Sequence, residues 1–296
     1  MGDIAQVRVV PIMHVLRAVA AATGSALRGR DLLLWAAGLT FFAGLGLVPM
    51  LLLALRGVAL LFGPALVTDG ARALGGSLPR AHDPTAALVS LAEAATTASW
   101  PLLAAALLPA TLYGEGLRRG LGQAAGERVT RWTGWAGRIA FLPVLVLAPL
   151  LVALPLAFTP VVAPLYAAGG WSTALGVVLS FHLDLVGVCA TVGLVFAFVG
   201  PVELPMRTVL VAAVAVGAVL TGFLHGFVLF LAIPVDWAIP YGGLAVPGGV
   251  AALGLWLFLL HALLLFGYRA TLSTHDVLGG GVREERGEPA REHSSH

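Results

Sequence analysis

The chain has no lysine, a single cysteine (Cys189) and little charge, with only 11% of its 296 residues Asp, Glu, Lys or Arg. One cysteine excludes an intrachain disulfide. Soluble domains carry roughly 25% charged residues. With 59% hydrophobic residues and a mean hydropathy of +0.94, this composition implies an integral membrane protein. Catalytic motifs are missing too. There is no P-loop, no Gly-x-Ser-x-Gly elbow and no His-Glu-x-x-His, so any transport is not powered by an ATPase in this chain. A metal-dependent nuclease needs several converging His, Asp or Glu ligands. His275-Asp276 stands alone, and His293 and His296 lie in a polar tail. The expectation is a protein that is not an enzyme, with no cofactor and no metal.

What is present is a series of apolar runs. Six candidate spans emerge: Leu32 to Leu55, Ser99 to Leu117, Ile139 to Leu165, Leu185 to Val202, Val209 to Leu231 and Gly248 to Gly267. Continuous apolar runs of about 20 residues are helical spans, since barrel strands are short and alternating. The expected fold is all-α and polytopic. Residues 1–31 form a cytoplasmic segment and 32–268 a six-helix transmembrane domain. Residues 269–296 form a cytoplasmic tail, disordered from Gly279 where "GGGVREERGEPAREHSSH" has almost nothing to bury. Arg28, Arg30 and Asp31 precede a run too long for a signal peptide.

All 17 basic residues are arginine, and their placement is lopsided. Fourteen fall before span 1, between spans 2 and 3, between spans 4 and 5 or after span 6. Arg56 sits at the outer end of span 1, only Arg72 and Arg80 fall in the loop that follows, and the remaining loops have none. The positive-inside rule therefore places both termini in the cytoplasm. It also accounts for the basic isoelectric point without a nucleic-acid partner. Within the loop after span 1, "DPTAALVSLAEAATTASW" reads as a helix opened by Asp83 and Pro84, lying amphipathically at the outer interface. Span 3 carries Pro143, Pro149, Pro155, Pro160 and Pro164, and each internal proline frees a carbonyl and bends a helix. Such a helix either lines a cavity or is kinked and purely structural.

Polar residues in these runs are the candidate sites. His182 and Asp184 fall at the outer interface if span 4 begins at Leu185. They fall near mid-bilayer if it begins near Ser172, at several kcal/mol for an unpaired aspartate. The 18 uncharged residues from Leu185 suffice to span, which favours the interface. Two residues apart is about 200° on a helix, so the two side chains cannot share a face. His225 and His261 are intramembrane candidates for a substrate path, with Thr221 one turn from His225. Either histidine could equally be a neutral hydrogen-bonding group between helices. Gly222 and Gly226 form a GxxxG approach surface for a helix neighbour, a homo-oligomer or another protein. Arg56 snorkels to the outer interface or holds an anion. Glu115, Arg118 and Arg119 form a local ion-pair cluster at the cytoplasmic mouth, which could alternatively receive anionic lipid headgroups.

Several stretches carry a resemblance. "AAGLTFFAGLGLVPMLLL" (Ala36 to Leu53), "VELPMRTVLVAAVAVGAVLTGF" with Pro205 and Arg207, and Tyr241-Gly242 leading to Trp256 and Gly267 together resemble the YihY/BrkB family of bacterial inner-membrane proteins. The likeness spans about 31–268. It departs where the family usually closes with Gly-Ala-Glu and this chain reads Gly267-Tyr268-Arg269, and at Gly46, where a small polar residue is usual. The resemblance implies six helices with both termini inside. Family members have been labelled ribonuclease BN or virulence factor, and the resemblance raises transport of lipids or other amphiphiles. The resulting expectation is a transporter or flippase-like protein for an amphiphilic or anionic envelope molecule, partnered by membrane lipids. The alternative is a non-catalytic scaffold. Thiols engineered between residues 118 and 138 in a Cys189→Ser background should react with a membrane-impermeant reagent from the cytoplasmic side only. Periplasmic labelling would refute the orientation.

Overall fold

The computed structural model describes residues 12–77, 84–127, 134–231 and 237–285. Asp83, Arg8, Arg80, Arg128, Arg131, Arg286 and Arg291 lie outside the described residues. Among those described there is no strand. Ten α-helices follow in order: α1 (Ile12–Leu27), α2 (Leu32–Phe62), α3 (Pro64–Ser77), α4 (Pro84–Thr97), α5 (Trp100–Ala125), α6 (Ala136–Ala140), α7 (Leu142–Ala168), α8 (Gly170–Leu194), α9 (Met206–Leu231) and α10 (Ala245–Glu285). Five apolar stretches are long enough to cross a membrane, and the α4–α5 pair, bent by 120°, makes a sixth where it is counted as one span. The outward faces carry Phe41, Val146, Val211 and Leu229 exposed, as expected where lipid is the solvent.

Local chemistry sets the helix limits. Asp31 caps α2 by accepting from the Leu34 backbone N–H at 3.1 Å. Ser99 precedes α5 with Pro101 in its first turn, where a missing N–H costs nothing. Gly126, at φ +87°, ends α5 in the left-handed conformation that favours glycine, and its N–H donates to Gly122 O at 2.9 Å. Gly169 and Gly170, both at positive φ, turn the chain from α7 directly into α8.

Three expectations need correction. Span 4 does not begin at Leu185. α8 starts at Gly170 and continues through a π-helical turn, Val195–Val199, to make a 30-residue apolar stretch. His182 and Asp184 therefore lie in the middle of a helix rather than before it. The 18-residue window is long enough to span, but the helix is about 45 Å long. Second, the loop after span 1 holds two helices, α3 and α4. Their Val67, Ala92 and Ala95 are fully buried with Val58 of α2, and Leu156 of α7 packs into the same cluster. α4 is thus docked on the bundle. Third, α10 continues past Gly279 to Glu285, and residues 286–296 lie outside the described residues.

α7 is one continuous helix despite four internal prolines. The proline rings are used in packing. A Cβ on Gly57 of α2 would fall 2.8 Å from Pro149 Cβ, so glycine there admits the ring. Thr159 helps satisfy the local backbone by donating to Pro155 O at 2.8 Å. Other close approaches also use glycine. A Cβ at Gly114 would sit 2.7 Å from Phe141 Cγ, and one at Gly217 would sit 2.6 Å from Cys189 Sγ. The GxxxG pair is not used this way, because nothing lies within 4 Å of a Cβ on Gly222. Gly114→Val should therefore cost about 1–3 kcal/mol or more through overpacking. Gly222→Val should change stability by less than about 0.5 kcal/mol. Thermal unfolding in detergent measures both.

Candidate functional site

The apolar faces of α2, α5, α7, α8, α9 and α10 do not meet at the centre of the bundle. They line a half-open cavity of about 800 Å³, with α3 and α4 along one side. This volume lies in the upper part of the range for small-molecule sites. Leucine, valine and phenylalanine dominate its walls, with no arginine among the lining residues. Its polar groups are few: Asp184, His225, Tyr113, His261, Thr159 and Thr191. A second cavity of about 180 Å³ shares Asp184, His225 and Thr159 and extends towards Tyr166 and Ser180.

Two polar pairs face the main cavity. In the first, Tyr113 Oη lies 2.9 Å from His261 Nε2, and Thr40 Oγ1 lies 3.2 Å from His261 Nδ1. The Thr40 hydroxyl donates to Ala36 O at 2.9 Å, so it accepts from Nδ1–H. Nε2 then accepts from the tyrosine hydroxyl. One neutral tautomer satisfies all three groups, and His261 is only 4% exposed. Tyr113 also packs edge-on against Phe141, with ring centroids 5.6 Å apart.

In the second pair, His225 Nε2 lies 3.6 Å from Asp184 Oδ2. His225 Nδ1 donates to Thr221 O at 3.2 Å, because a carbonyl can only accept. Phe181 covers the ring at 5.2 Å between centroids. Thr221 is fully buried, and its hydroxyl donates to Gly217 O. It touches the site only through its carbonyl. His182, 200° away from Asp184, is on the exposed face of α8 and donates to Val178 O at 2.7 Å.

The charged candidates do not line the cavity. Arg56 donates to Thr96 O at the end of α4. Glu115 is buried and accepts from Arg119 Nε at 2.7 Å and from Gly137 N–H at 3.0 Å, tying α5 to the start of α6. Arg118 does not share that carboxylate as its spacing predicts. It donates instead to Val199 O, across on the π turn, at 3.2 Å.

The residues around Thr40 and His261 are parts of the segments that resemble a known family. A family model described as virulence factor BrkB matches residues 23–292. The chain belongs to the BrkB virulence-factor family. No curated protein and no solved structure matches it. The match covers all the described apolar crossings of this BrkB protein, and both polar pairs lie within it.

Sequence reasoning finds His225 and His261 but misses Thr40 and Tyr113, which are neutral polar residues in apolar runs. It also misplaces Asp184. Tyr113→Phe and Thr40→Val should each lower stability by about 1–2 kcal/mol, by orphaning an imidazole nitrogen. The double variant should lose less than the sum, because both act through His261. A thermal-unfolding double-mutant cycle gives the coupling.

Proposed function

We propose that this BrkB-family protein moves an amphiphilic envelope molecule across the bacterial inner membrane, acting as a transporter or flippase-like carrier and not as an enzyme. The observation that carries this reading is the roughly 800 Å³ cavity inside a bundle of membrane-spanning helices. Its walls suit an acyl chain, and its sparse polar groups suit the polar end of such a molecule. Intramembrane ionisable groups facing a cavity typically belong to a transport path. The lack of arginine in the lining favours an amphiphile over a wholly anionic solute. Membrane lipids are the natural source of cargo. The arginine asymmetry supports an orientation with both termini in the cytoplasm.

A non-catalytic scaffold is the second reading, favoured by the open face at Gly222. A stoichiometric cross-linked partner together with no cargo movement would support it. The carrier reading is tested by filling the cavity. A Cβ at Gly187, on the cavity wall, meets nothing closer than Leu151 O at 4.0 Å, so Gly187→Leu should fold and obstruct. In sealed vesicles, wild type should exchange a fluorescent phospholipid between leaflets faster than protein-free vesicles, and Gly187→Leu should reduce the rate at least about tenfold. Equal rates for wild type and empty vesicles would remove the proposal.

A further inference from the structure

We propose that Asp184 and His225 together form a binding site for one proton, and that this proton is the coupling ion for the carrier proposed above. Hydrogen-bond direction fixes where one proton must sit. His225 Nδ1 must carry a hydrogen to donate to Thr221 O. In a neutral imidazole, Nε2 would then present a bare lone pair to a carboxylate oxygen 3.6 Å away, which is repulsive. One more proton removes the conflict, either as an imidazolium facing a carboxylate or as a carboxylic acid facing a neutral ring. Both arrangements leave the pair with no net charge.

The surroundings select that singly protonated state. The cavity is almost wholly apolar, and net charge in such a space is costly unless paired or hydrated. From α7 the pair meets Thr159 and Tyr166, and from α3 it meets Leu74. On α8, Ser180 is engaged with Tyr166 at 2.7 Å, and His182 points away onto Val178 O. α9 contributes the Thr221 carbonyl. Across the main cavity on α10, His261 has both nitrogens engaged by Tyr113 and Thr40. No arginine lines either cavity, so no fixed positive charge competes for the Asp184 carboxylate.

Position supplies the coupling. Asp184 and His225 line both cavities and stand where the larger meets the smaller. Releasing the proton breaks one N–H or O–H bond, passes H⁺ to water and leaves the pair at net −1. The reverse step restores neutrality. Each step needs water at the pair, so exchange is tied to whichever side the cavity is open. Cargo that fills the cavity excludes that water.

The test uses the full chain in phosphatidylethanolamine/phosphatidylglycerol vesicles with a nitrobenzoxadiazole-labelled phosphatidylglycerol probe. It is paired with infrared difference spectra between acid and alkaline buffer, which read protonation without any cargo. Wild type should show coupled carboxyl and imidazole changes for one proton leaving the pair, with the carboxyl change lost in Asp184→Asn and the imidazole change lost in His225→Gln. A one-unit pH difference should drive the probe to about a tenfold leaflet asymmetry at one proton per molecule. Both variants should lose that asymmetry. Bands unchanged in the variants, equal asymmetry in the variants, or asymmetry driven by a sodium gradient instead of a pH gradient would each overturn the site. Bands that behave as expected with no probe movement by wild type would uphold the proton site and remove only the carrier reading.

Discussion

The constraint on which this structure rests is that a helix end leaves backbone carbonyls without partners. The last four carbonyls of every helix have no partner within it. Here arginines supply the donors. Arg30 Nη1 donates to Gln123 O and Ala124 O at 2.9 and 3.2 Å, and Arg269 donates to Ala125 O at 3.4 Å, all at the end of α5. Arg118 serves the end of the π turn and Arg56 the end of α4. Positive charge at a helix C-terminus also complements the dipole. Arginines that composition reads as topology signals therefore also terminate helices and tie them to one another. Arg56 and Arg118 each spend one guanidinium nitrogen on a backbone carbonyl.

Packing follows a second rule, set by the lack of a hydrophobic driving force between helices in lipid. Contacts are made where glycine lets another element in: Gly57 against Pro149, Gly114 against Phe141, Gly217 against Cys189. These contacts pull the helices together pairwise, and Phe141, which packs on Gly114, also forms part of the cavity wall. The proline-rich α7 lies against α2 with one ring and lines the cavity with another, Pro155. A helix that looks broken in sequence is continuous because each proline removes a single bond and the flanking turns remain intact.

The spans are legible because long, continuous apolar runs are stable in few settings besides lipid. His225 and His261 are legible because an ionisable residue in such a run is conspicuous. Asp184 is not, for a specific reason. A shorter span could exclude it from lipid, and the histidine that shares its proton lies on the next helix, invisible to local pattern. Thr40 and Tyr113 give no hydropathy signal at all, and their meeting with His261 depends on three helices converging. The α4 helix is legible from its Asp-Pro start, but α3 is not, and the alanine-rich face of α4 looks amphipathic until a partner surface covers it. The GxxxG pair shows the limit of spacing rules, since the close approach in α9 is made five residues earlier, at Gly217.

The two polar pairs belong to different parts of the bundle. Asp184 and His225 fasten α8 to α9, whereas Thr40, Tyr113 and His261 fasten α2 and α5 to α10. The cavity lies on the seam between these halves. Polar bonds cross it near the π turn, where Arg118 reaches Val199 O and the Val202 N–H donates to Tyr268 Oη at 3.4 Å. Phe196 packs on the fully buried Tyr268 ring at the same place. Farther along the same boundary Phe223, Phe227 and Phe230 of α9 pack on Trp256 of α10 at 4.5–5.6 Å between centroids, so the two groups of helices are joined by polar bonds at one end and by aromatic rings towards the other.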